Sequence, residues 1–496
     1  MDIDADYVVV GSGSAGAVIA SRLSADAAAN VVVLEAGPRD KDKFIHIPAA
    51  FSKLFRSAVD WDYLTEPQKE LNGRQVYWPR GKTLGGSSSM NAMMWVRGFA
   101  ADYDDWGALA GAEWSYAEVA KYFERIEAGP LVISPQRSPR SSTGAWLTAA
   151  EQCGYRIERP NPAAPEGFCE TLVTQRRGAR WSTADAYLKP ALGRKNLTLL
   201  TEATATRIVF DGSRAVGVEF ASDNQRRVVG ARREVVLCGG AVNSPQLLML
   251  SGIGDGGRLA AHGISVVHHA PEVGENLMDH LVVPLGFDVP SDTLFAAEKP
   301  MQLVNYLLRR RGMLTSNVGE AYGFVRSRPD LDLPDLELIF APAPFFDEGL
   351  GDPYSGHAVV FGPILLKPQS RGTVALRSSD AQDKPIIDPQ YLCDDAGVDR
   401  AALMAGLRMC VTIAGSPALK DLVGTIARPL RAEQLDERTL EEALNTLSHT
   451  LYHPVGTCRM GRDEASVVDP QLRVCGSPTR RSCRASSAAT PTPRAC

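Results

Sequence analysis

The pattern of hydrophobic and polar positions predicts a strand, a helix and a second strand within residues 1–37. The apolar run Val8–Val10 leads directly into a glycine-rich turn, and the apolar residues that follow return with helical spacing up to Leu23. A second apolar run, 31–34, is typical of a buried strand. Together these elements predict a βαβ unit, the building block of a parallel sheet covered by helices.

Similar patterns recur along the rest of the chain. Strand-like segments alternate with helical ones, and polar stretches such as 134–143, which is rich in serine, proline and arginine, predict loops. The predicted strands fall within residues 197–237, 335–345 and 358–366. The predicted helices cover residues 102–128, 300–314, 397–414 and 436–447.

The turn after the first strand has the chemistry of a dinucleotide site. Gly11 permits a tight turn, Gly13 lets a pyrophosphate approach the backbone, and Gly16 lets the helix pack closely on the strand. The helix start offers free N–H groups to phosphate. Glu35 ends the second strand and can accept hydrogen bonds from a ribose. The predicted nucleotide contacts are Gly11, Ser12, Gly13, Ser14, Ala15, Gly16 and Glu35.

A second segment, 81–91, is dense in glycine and serine. Such density indicates backbone pressed against another group, most simply the cofactor. The alternative is a flexible linker. The flanking Trp78, Met93, Met94 and Trp95 favour a packed wall over a linker.

Composition narrows the function classes. The chain has 496 residues, 44% hydrophobic and 22% charged, with a net charge of −5 and no basic stripe, which argues against a dedicated nucleic-acid binder. The acidic start Met1–Asp6 is unlike a signal peptide, and no apolar run is long enough to span a bilayer. Nine scattered cysteines and eight dispersed histidines show no metal-ligand spacing, so we expect no metal and a reducing, cytoplasmic location.

Several segments, read together, resemble the glucose–methanol–choline (GMC) oxidoreductases, and within them the choline-dehydrogenase-like alcohol dehydrogenases. The resemblance runs from residue 7 to about Val474. The matching segments are Gly11–Gly16, Gly81–Asn91, Gly239–Gly254, Val273–His280 and His453–Gly461.

The resemblance implies an α/β (α+β) fold with a Rossmann-like FAD-binding domain and a substrate-binding domain built on an antiparallel sheet. The FAD-binding domain is expected from separate stretches of the chain. The implied division is 1–154, 191–299 and 445–474 for the FAD-binding and catalytic parts, 155–190 and 300–444 for the substrate-binding part, and 475–496 as an aberrant, disordered tail.

The resemblance also implies which residues contact FAD. Some relatives bond FAD covalently through a histidine in the 81–91 segment; here Met90 holds that place, so we expect a non-covalent, dissociable FAD. Ala205 falls where a backbone contact to the adenine is expected. The implied contacts in the second segment are Gly81, Leu84, Gly85, Gly86, Ser87, Asn91, Ala92, Met93 and Met94.

His453 is the candidate catalytic residue. Oxidising an alcohol to a carbonyl removes a hydride and a hydroxyl proton, and an imidazole can take the proton near neutral pH. Pro454 restricts the backbone of His453, and Gly456 is expected to allow close approach to the flavin ring. Glu320 is a weaker candidate, which either faces the substrate cavity and favours a cation such as choline or makes an ordinary polar contact.

The tail after Val474 departs from the family pattern and lacks apolar periodicity. Shifted back by one base, the codons of 479–481 permit Asp-Ala-Ser, and those of 489–494 permit Gly-Asn-Thr-(His/Asn)-Ala-Pro, which is what the family has there. We therefore hypothesise a single-base frameshift near Cys475 that removes a second catalytic group. Resequencing the end of the gene tests this, and an undisturbed frame without the hidden motif would refute it.

The sequence is compatible with four functions. The first is an FAD-dependent dehydrogenase that oxidises choline or another primary alcohol and passes electrons to a quinone or other carrier. The others are an oxygen-using oxidase, a lyase that cleaves cyanohydrins without net redox change, and an inactive remnant because of the tail. We expect a cytoplasmic protein, with or without membrane association, and no nucleic-acid partner.

Overall fold

The computed structural model describes residues 3–346, 348, 350, 354–430 and 432–474, and the backbone of 483–485. Its first sheet is mostly parallel and begins with the predicted βαβ unit, in which Tyr7–Val10 pair in register with Val31–Leu34. Every residue of Val31–Leu34 is buried, as expected for a strand covered on both faces. The strand order is Leu197–Leu200, Val31–Leu34, Ile3–Val10, Gln225–Leu237, Arg214–Ser222 and Thr204–Asp211.

The second sheet is antiparallel and carries the largest hydrophobic core. Trp146, Phe168, Phe340 and Phe361 are fully buried in this core. Helices Ser141–Gln152 and Val398–Ala414 pack against it. The strand order is Ile426–Arg428, Leu285–Asp288, Ala358–Leu365, Leu336–Ala341, Ala321–Val325 and Phe168–Glu170, with Leu281–Val282 and His449–Thr450 paired beside it. The predicted fold class is therefore confirmed.

Other helices connect or cover the two sheets. None of the helices within the described residues combines the length and apolar character needed to cross a bilayer. The helices not yet given are Ser14–Leu23, Lys43–His46, Ala100–Ala110, Tyr116–Glu127, Lys189–Ala191, Gly240–Leu250, Gly256–Ala261, Pro300–Arg309 and Glu437–Leu447.

Several sequence-based boundaries differ from the structure. The single helix predicted over 102–128 is two helices, separated at Gly111, whose φ of 126° is incompatible with a helix. The predicted loop at 134–143 overlaps the start of Ser141–Gln152, a helix that the sequence analysis missed. Strands 281–288 and 449–450 belong to the second sheet, although the predicted division placed both stretches in the FAD-binding part.

The predicted disordered tail is wrong at residues 483–485. Their backbone forms a strand that pairs in parallel with Val235–Leu237 at the end of the central strand of the first sheet. The other tail residues, 475–482 and 486–496, lie outside the described residues, so the frameshift hypothesis stays a prediction.

Candidate active site

The glycine turn closes tightly at the end of the first strand. Gly11 has a φ of +92°, and its N–H donates to the carbonyl of Leu34 at 2.7 Å. A Cβ at Gly11 would lie 2.6 Å from the carbonyl oxygen of Cys238, and one at Gly16 would overlap the carbonyl oxygen of Gly11. Both positions therefore exclude a side chain, as the sequence pattern predicts.

Glu35 is fixed beside this turn as an acceptor. Its carboxylate accepts from the N–H of Ser12 at 2.9 Å, the hydroxyl of Ser12 at 2.6 Å and the N–H of Gly37 at 2.9 Å. Burial raises the pKa of Glu35, although these bonds act in the opposite direction. A carboxylate has about four acceptor positions, so roughly one stays available to a ligand.

The 81–91 segment packs directly on the glycine turn. The N–H of Gly85 donates to the carbonyl of Ser12 at 3.0 Å, and a Cβ at Gly86 would lie 2.7 Å from the Cα of Gly13. Gly85 itself has a φ of +89°. Leu84 is buried under this contact, in the core beneath the turn. The two segments therefore form one glycine-lined surface.

This surface belongs to the wall of a cavity of about 390 Å³. Among the predicted residues, Gly11, Gly13, Ser14, Ala15, Glu35, Gly81, Gly86, Ser87 and Ala205 line it. The volume falls within the range of roughly 300–1,000 Å³ usual for small-molecule sites. Further wall residues that the sequence analysis did not single out are Trp61, Tyr63, Arg80, Lys82, Asn243, Gln246 and residues 381–385.

Part of the missed wall is an ordered aromatic group. The rings of Trp61 and Tyr63 stack at 5.9 Å, and the ammonium of Lys82 lies 4.8 Å from the centre of the Trp61 ring. Asn243 donates from Nδ2 to the hydroxyl of Tyr63 at 2.6 Å. Lys82 and Asn243 lie within segments that carry the family resemblance and were therefore accessible to sequence reasoning; residues 381–385 gave no such signal.

Residues 91–94 do not line the cavity and bond instead to neighbouring loops and short strands. Asn91 accepts from Arg180 at 2.7 Å, the carbonyl of Ala92 accepts from Asn317 at 3.1 Å, and the carbonyl of Met93 accepts from the N–H of Thr174 at 2.9 Å. Met94 forms an isolated bridge with Val173. Within the described residues, these four are held by residues 173–180 and by Asn317, and none of them lines the cavity.

Met90 does not line the cavity, unlike a residue that would bond covalently to FAD. Its side chain is buried in an apolar cluster with Phe51, Phe55 and Val318. The structure thus uses Met90 as a packing residue.

His453 is held at the border of the cavity. Its backbone N–H donates to Oδ1 of the buried Asp279 at 2.9 Å, and the next residue, Pro454, lines the cavity. Tyr391 donates its hydroxyl proton to the other oxygen of Asp279. The preceding Tyr452 has a φ of +70°, so the chain turns sharply into the histidine. The function of Asp279 here is to fix the backbone on which the imidazole is carried.

The surroundings of the His453 ring favour its neutral form. Loss of solvent around the ring lowers the pKa of His453 most, to about 3, and His280 and Arg80 lower it further, while the residue as a whole is exposed. The Nδ1 atoms of His453 and His280 lie 3.4 Å apart. Burial lowers the pKa of His280 as well, to about 4. The pair is therefore two neutral imidazoles at neutral pH.

Gly456 has a packing role in addition to the one expected. With a φ of +97°, its missing side chain makes room for the carbonyl of Asn276, which a Cβ would overlap. The glycine is required for packing of the 273–280 segment against the 453–461 segment, and its expected approach to the flavin ring stays a prediction.

Glu320 is not available to a substrate cation. Its Oε2 accepts from the N–H of Arg140 at 2.7 Å and from Thr143 at 2.6 Å, and its Oε1 accepts from Ser316 at 2.6 Å. The residue is fully buried at the start of helix Ser141–Gln152, where an acid is favourable for the helix dipole. Of the two alternatives for Glu320, the geometry therefore favours the ordinary polar contact.

One group of possible metal ligands exists in the described residues, formed by Asp40, His46 and Asp185. The ammonium of Lys189 lies 2.5 Å from Asp40 and 2.6 Å from Asp185. A cation of the protein itself thus occupies the position between the carboxylates.

Two family models described as GMC oxidoreductase match the chain, over residues 5–282 and 368–494. The second match extends past Val474, so the resemblance does not stop there as the sequence analysis has it.

Individual relatives are similar over nearly the full length. An uncharacterized GMC-type oxidoreductase of Mycobacterium tuberculosis is 71% identical over 96% of this chain and 93% of its own length. An alcohol dehydrogenase (acceptor) of Pseudomonas putida is 40% identical, covering 95% and 89%, and the mitochondrial choline dehydrogenase of Homo sapiens is 39% identical, covering 95% and 83%. The crystal structure of pyridoxine 4-oxidase from Mesorbium loti superposes with a TM-score of 0.87 at 30% identity, covering 98% of this chain and 94% of that one.

Proposed function

Because the chain belongs to the GMC oxidoreductase family, whose cofactor is FAD, we propose that it oxidises the CH–OH group of a primary alcohol to the aldehyde, with His453 as the base. The observation that carries the proposal is the position of His453. Asp279 holds its backbone, and Pro454 connects it to the wall of the glycine-lined cavity.

The residues that line the cavity fit the nucleotide part of FAD. Gly11, Gly13 and Gly86 leave a surface without side chains, and the start of helix Ser14–Leu23 supplies N–H groups for a pyrophosphate. We assign the ribose to the remaining acceptor position of Glu35 and the adenine to the backbone at Ala205. The packing of Met90 in an apolar cluster supports a non-covalent cofactor.

The residues of this chain prepare the alcohol for hydride loss. When bound, FAD supplies the hydride acceptor at N5. His453, as a neutral imidazole, accepts the hydroxyl proton, so that negative charge develops on the alcohol oxygen as the hydride leaves. Asp279 keeps the ring in position through the backbone of His453 and does not itself contact the alcohol in this proposal.

We place a neutral primary alcohol ahead of choline as the substrate. Glu320 was the candidate carboxylate for binding a cationic substrate. It instead accepts hydrogen bonds from three donors of the protein.

The pH dependence of the reaction should show that His453 is already neutral. Because its pKa is lowered, the base form persists below the ordinary histidine pKa of about 6.5. We expect the rate of anaerobic flavin reduction to be flat between about pH 8 and pH 6. A rate that falls tenfold per pH unit below about 6.5 would contradict this account of the base.

The electron acceptor is tested by comparing two assays on the same substrate. A dehydrogenase should turn over with a quinone analogue and consume little oxygen without it, whereas an oxidase should consume oxygen at a similar rate. Product formation without any flavin bleaching would instead indicate a lyase. We expect the first result, in line with the Pseudomonas putida relative, whose name specifies an acceptor.

A further inference from the structure

The helix Pro300–Arg309 exposes most of its apolar side chains to solvent instead of burying them in the core. Its buried anchor is Tyr306, whose hydroxyl donates to the carbonyl of His46 at 3.1 Å, while Gln302 and Asn305 are only half-buried. The large apolar residues point to solvent. Those exposed on this helix and just before it are Phe295, Met301, Leu303, Val304, Leu307 and Leu308.

The degree of exposure is unusual for such residues. Leu308 is 79% exposed, Met301 71% and Leu307 60%. Single exposed apolar residues need no explanation, but a contiguous group on one helix marks a surface that binds something apolar. We call this group, Phe295, Met301, Leu303, Val304, Leu307 and Leu308, the apolar helix face.

Basic residues adjoin the C-terminal end of the apolar helix face. Arg309, Arg310 and Arg311 follow it directly, and all three are exposed. The turn of the hairpin 175–180 packs against them, since a Cβ at Gly178 would lie 2.7 Å from the carbonyl oxygen of Arg310. That hairpin contributes two further exposed arginines, Arg176 and Arg177.

These five arginines are not neutralised by the protein. Within the residues that the structure describes, none of them forms an ion pair with a carboxylate. The chain as a whole has a net charge of −5, so this positive cluster is a local departure from the overall charge. The positive cluster therefore favours a partner that has anionic groups next to its apolar part.

We propose that the apolar helix face and its arginines bind the surface of a membrane that contains anionic phospholipids. An interfacial helix inserts its apolar side chains at the boundary between headgroups and acyl chains, and basic residues beside it contact anionic headgroups. A helix of ten residues, about 15 Å long, suits this arrangement lying in the plane of the interface. A second copy of this chain would also offer an apolar surface, but its five arginines would repel the five arginines of the first copy.

The test is co-sedimentation of the full purified chain with vesicles. One set is pure phosphatidylcholine, and the other is an equimolar mixture of phosphatidylcholine and phosphatidylglycerol. We expect binding to the anionic vesicles that weakens as the salt concentration rises. Absence of binding to the anionic vesicles would overturn the proposal.

Two variants separate the apolar and electrostatic contributions. The double variant Leu307→Ser/Leu308→Ser and the triple variant Arg309→Gln/Arg310→Gln/Arg311→Gln should each weaken binding on the order of a hundredfold. The matched control is Leu430→Ser, because Leu430 is also 68% exposed but lies elsewhere. It should bind like the unaltered chain, and circular dichroism should give all variants the same melting temperature.

Two outcomes would contradict the assignment of the partner. Unchanged vesicle binding by either variant would show that this face is not the membrane site. Light scattering that finds a dimer, which Leu307→Ser/Leu308→Ser dissociates, would show that a second copy covers the face instead.

Discussion

Replacing His453 with alanine should lower the rate of alcohol-dependent flavin reduction by about 10²–10⁴-fold, the usual contribution of a positioned general base. The reason is that the alcohol oxygen would lose the neutral imidazole that takes its proton as the hydride leaves. The FAD content should not change, because the cavity wall near His453 is supplied by Pro454 and residues of other elements. Stopped-flow spectroscopy under nitrogen measures both quantities on one sample.

The matched control for this variant is His268→Ala. His268 is a half-buried histidine in a short strand that pairs with Ile253–Gly254, outside the residues assigned to the site. It should keep the unaltered rate. A His453→Ala protein that reduces its flavin as fast as the unaltered chain would remove His453 from the mechanism.

Replacing Gly13 with alanine should weaken FAD binding by about 10- to 100-fold while the protein still folds. The backbone at Gly13 has a φ of −65°, which alanine adopts easily, and an added Cβ would meet only the Cα of Gly86, at 3.8 Å. The same methyl group would project into the cavity where the pyrophosphate is expected. One lost hydrogen bond to a charged group costs about 1.5–3 kcal/mol, which is up to about two powers of ten in affinity.

The control for this prediction is Gly144→Ala. Gly144 lies in helix Ser141–Gln152, and a Cβ there has no neighbour within 4 Å. Titration of the apoprotein with FAD should give the control the affinity of the unaltered chain, and both variants should unfold at similar temperatures. Unchanged FAD affinity in Gly13→Ala would contradict the assignment of the glycine turn to the pyrophosphate.

Local pattern was sufficient to predict the nucleotide half of the fold. The turn at Gly11–Gly16 and the acid at Glu35 depend on residues close in sequence, and the structure places both in one cavity wall. Strands at 197–237 follow from alternation that each segment carries by itself. In such cases the physical cause of the structure is contained within the segment that shows the pattern.

Features that depend on distant partners could not be predicted in the same way. Glu320 receives its donors from residues 140, 143 and 316, and only the folded chain brings the first two to it. The constraint on Gly456 comes from the carbonyl of Asn276, and the assignment of 281–288 to the second sheet comes from pairing with 358–361 and 426–428. A helix over 300–314 was predicted from the sequence, but the orientation of its apolar side chains toward solvent is a tertiary property.

The measurement that tests the account most directly is the visible spectrum of the purified chain under nitrogen, before and after addition of choline and a series of primary alcohols. We predict a yellow protein whose flavin band is bleached by a neutral primary alcohol, and more slowly or not at all by choline. A protein that binds FAD but is bleached by no alcohol, or one that binds no FAD, would contradict the proposed alcohol oxidation.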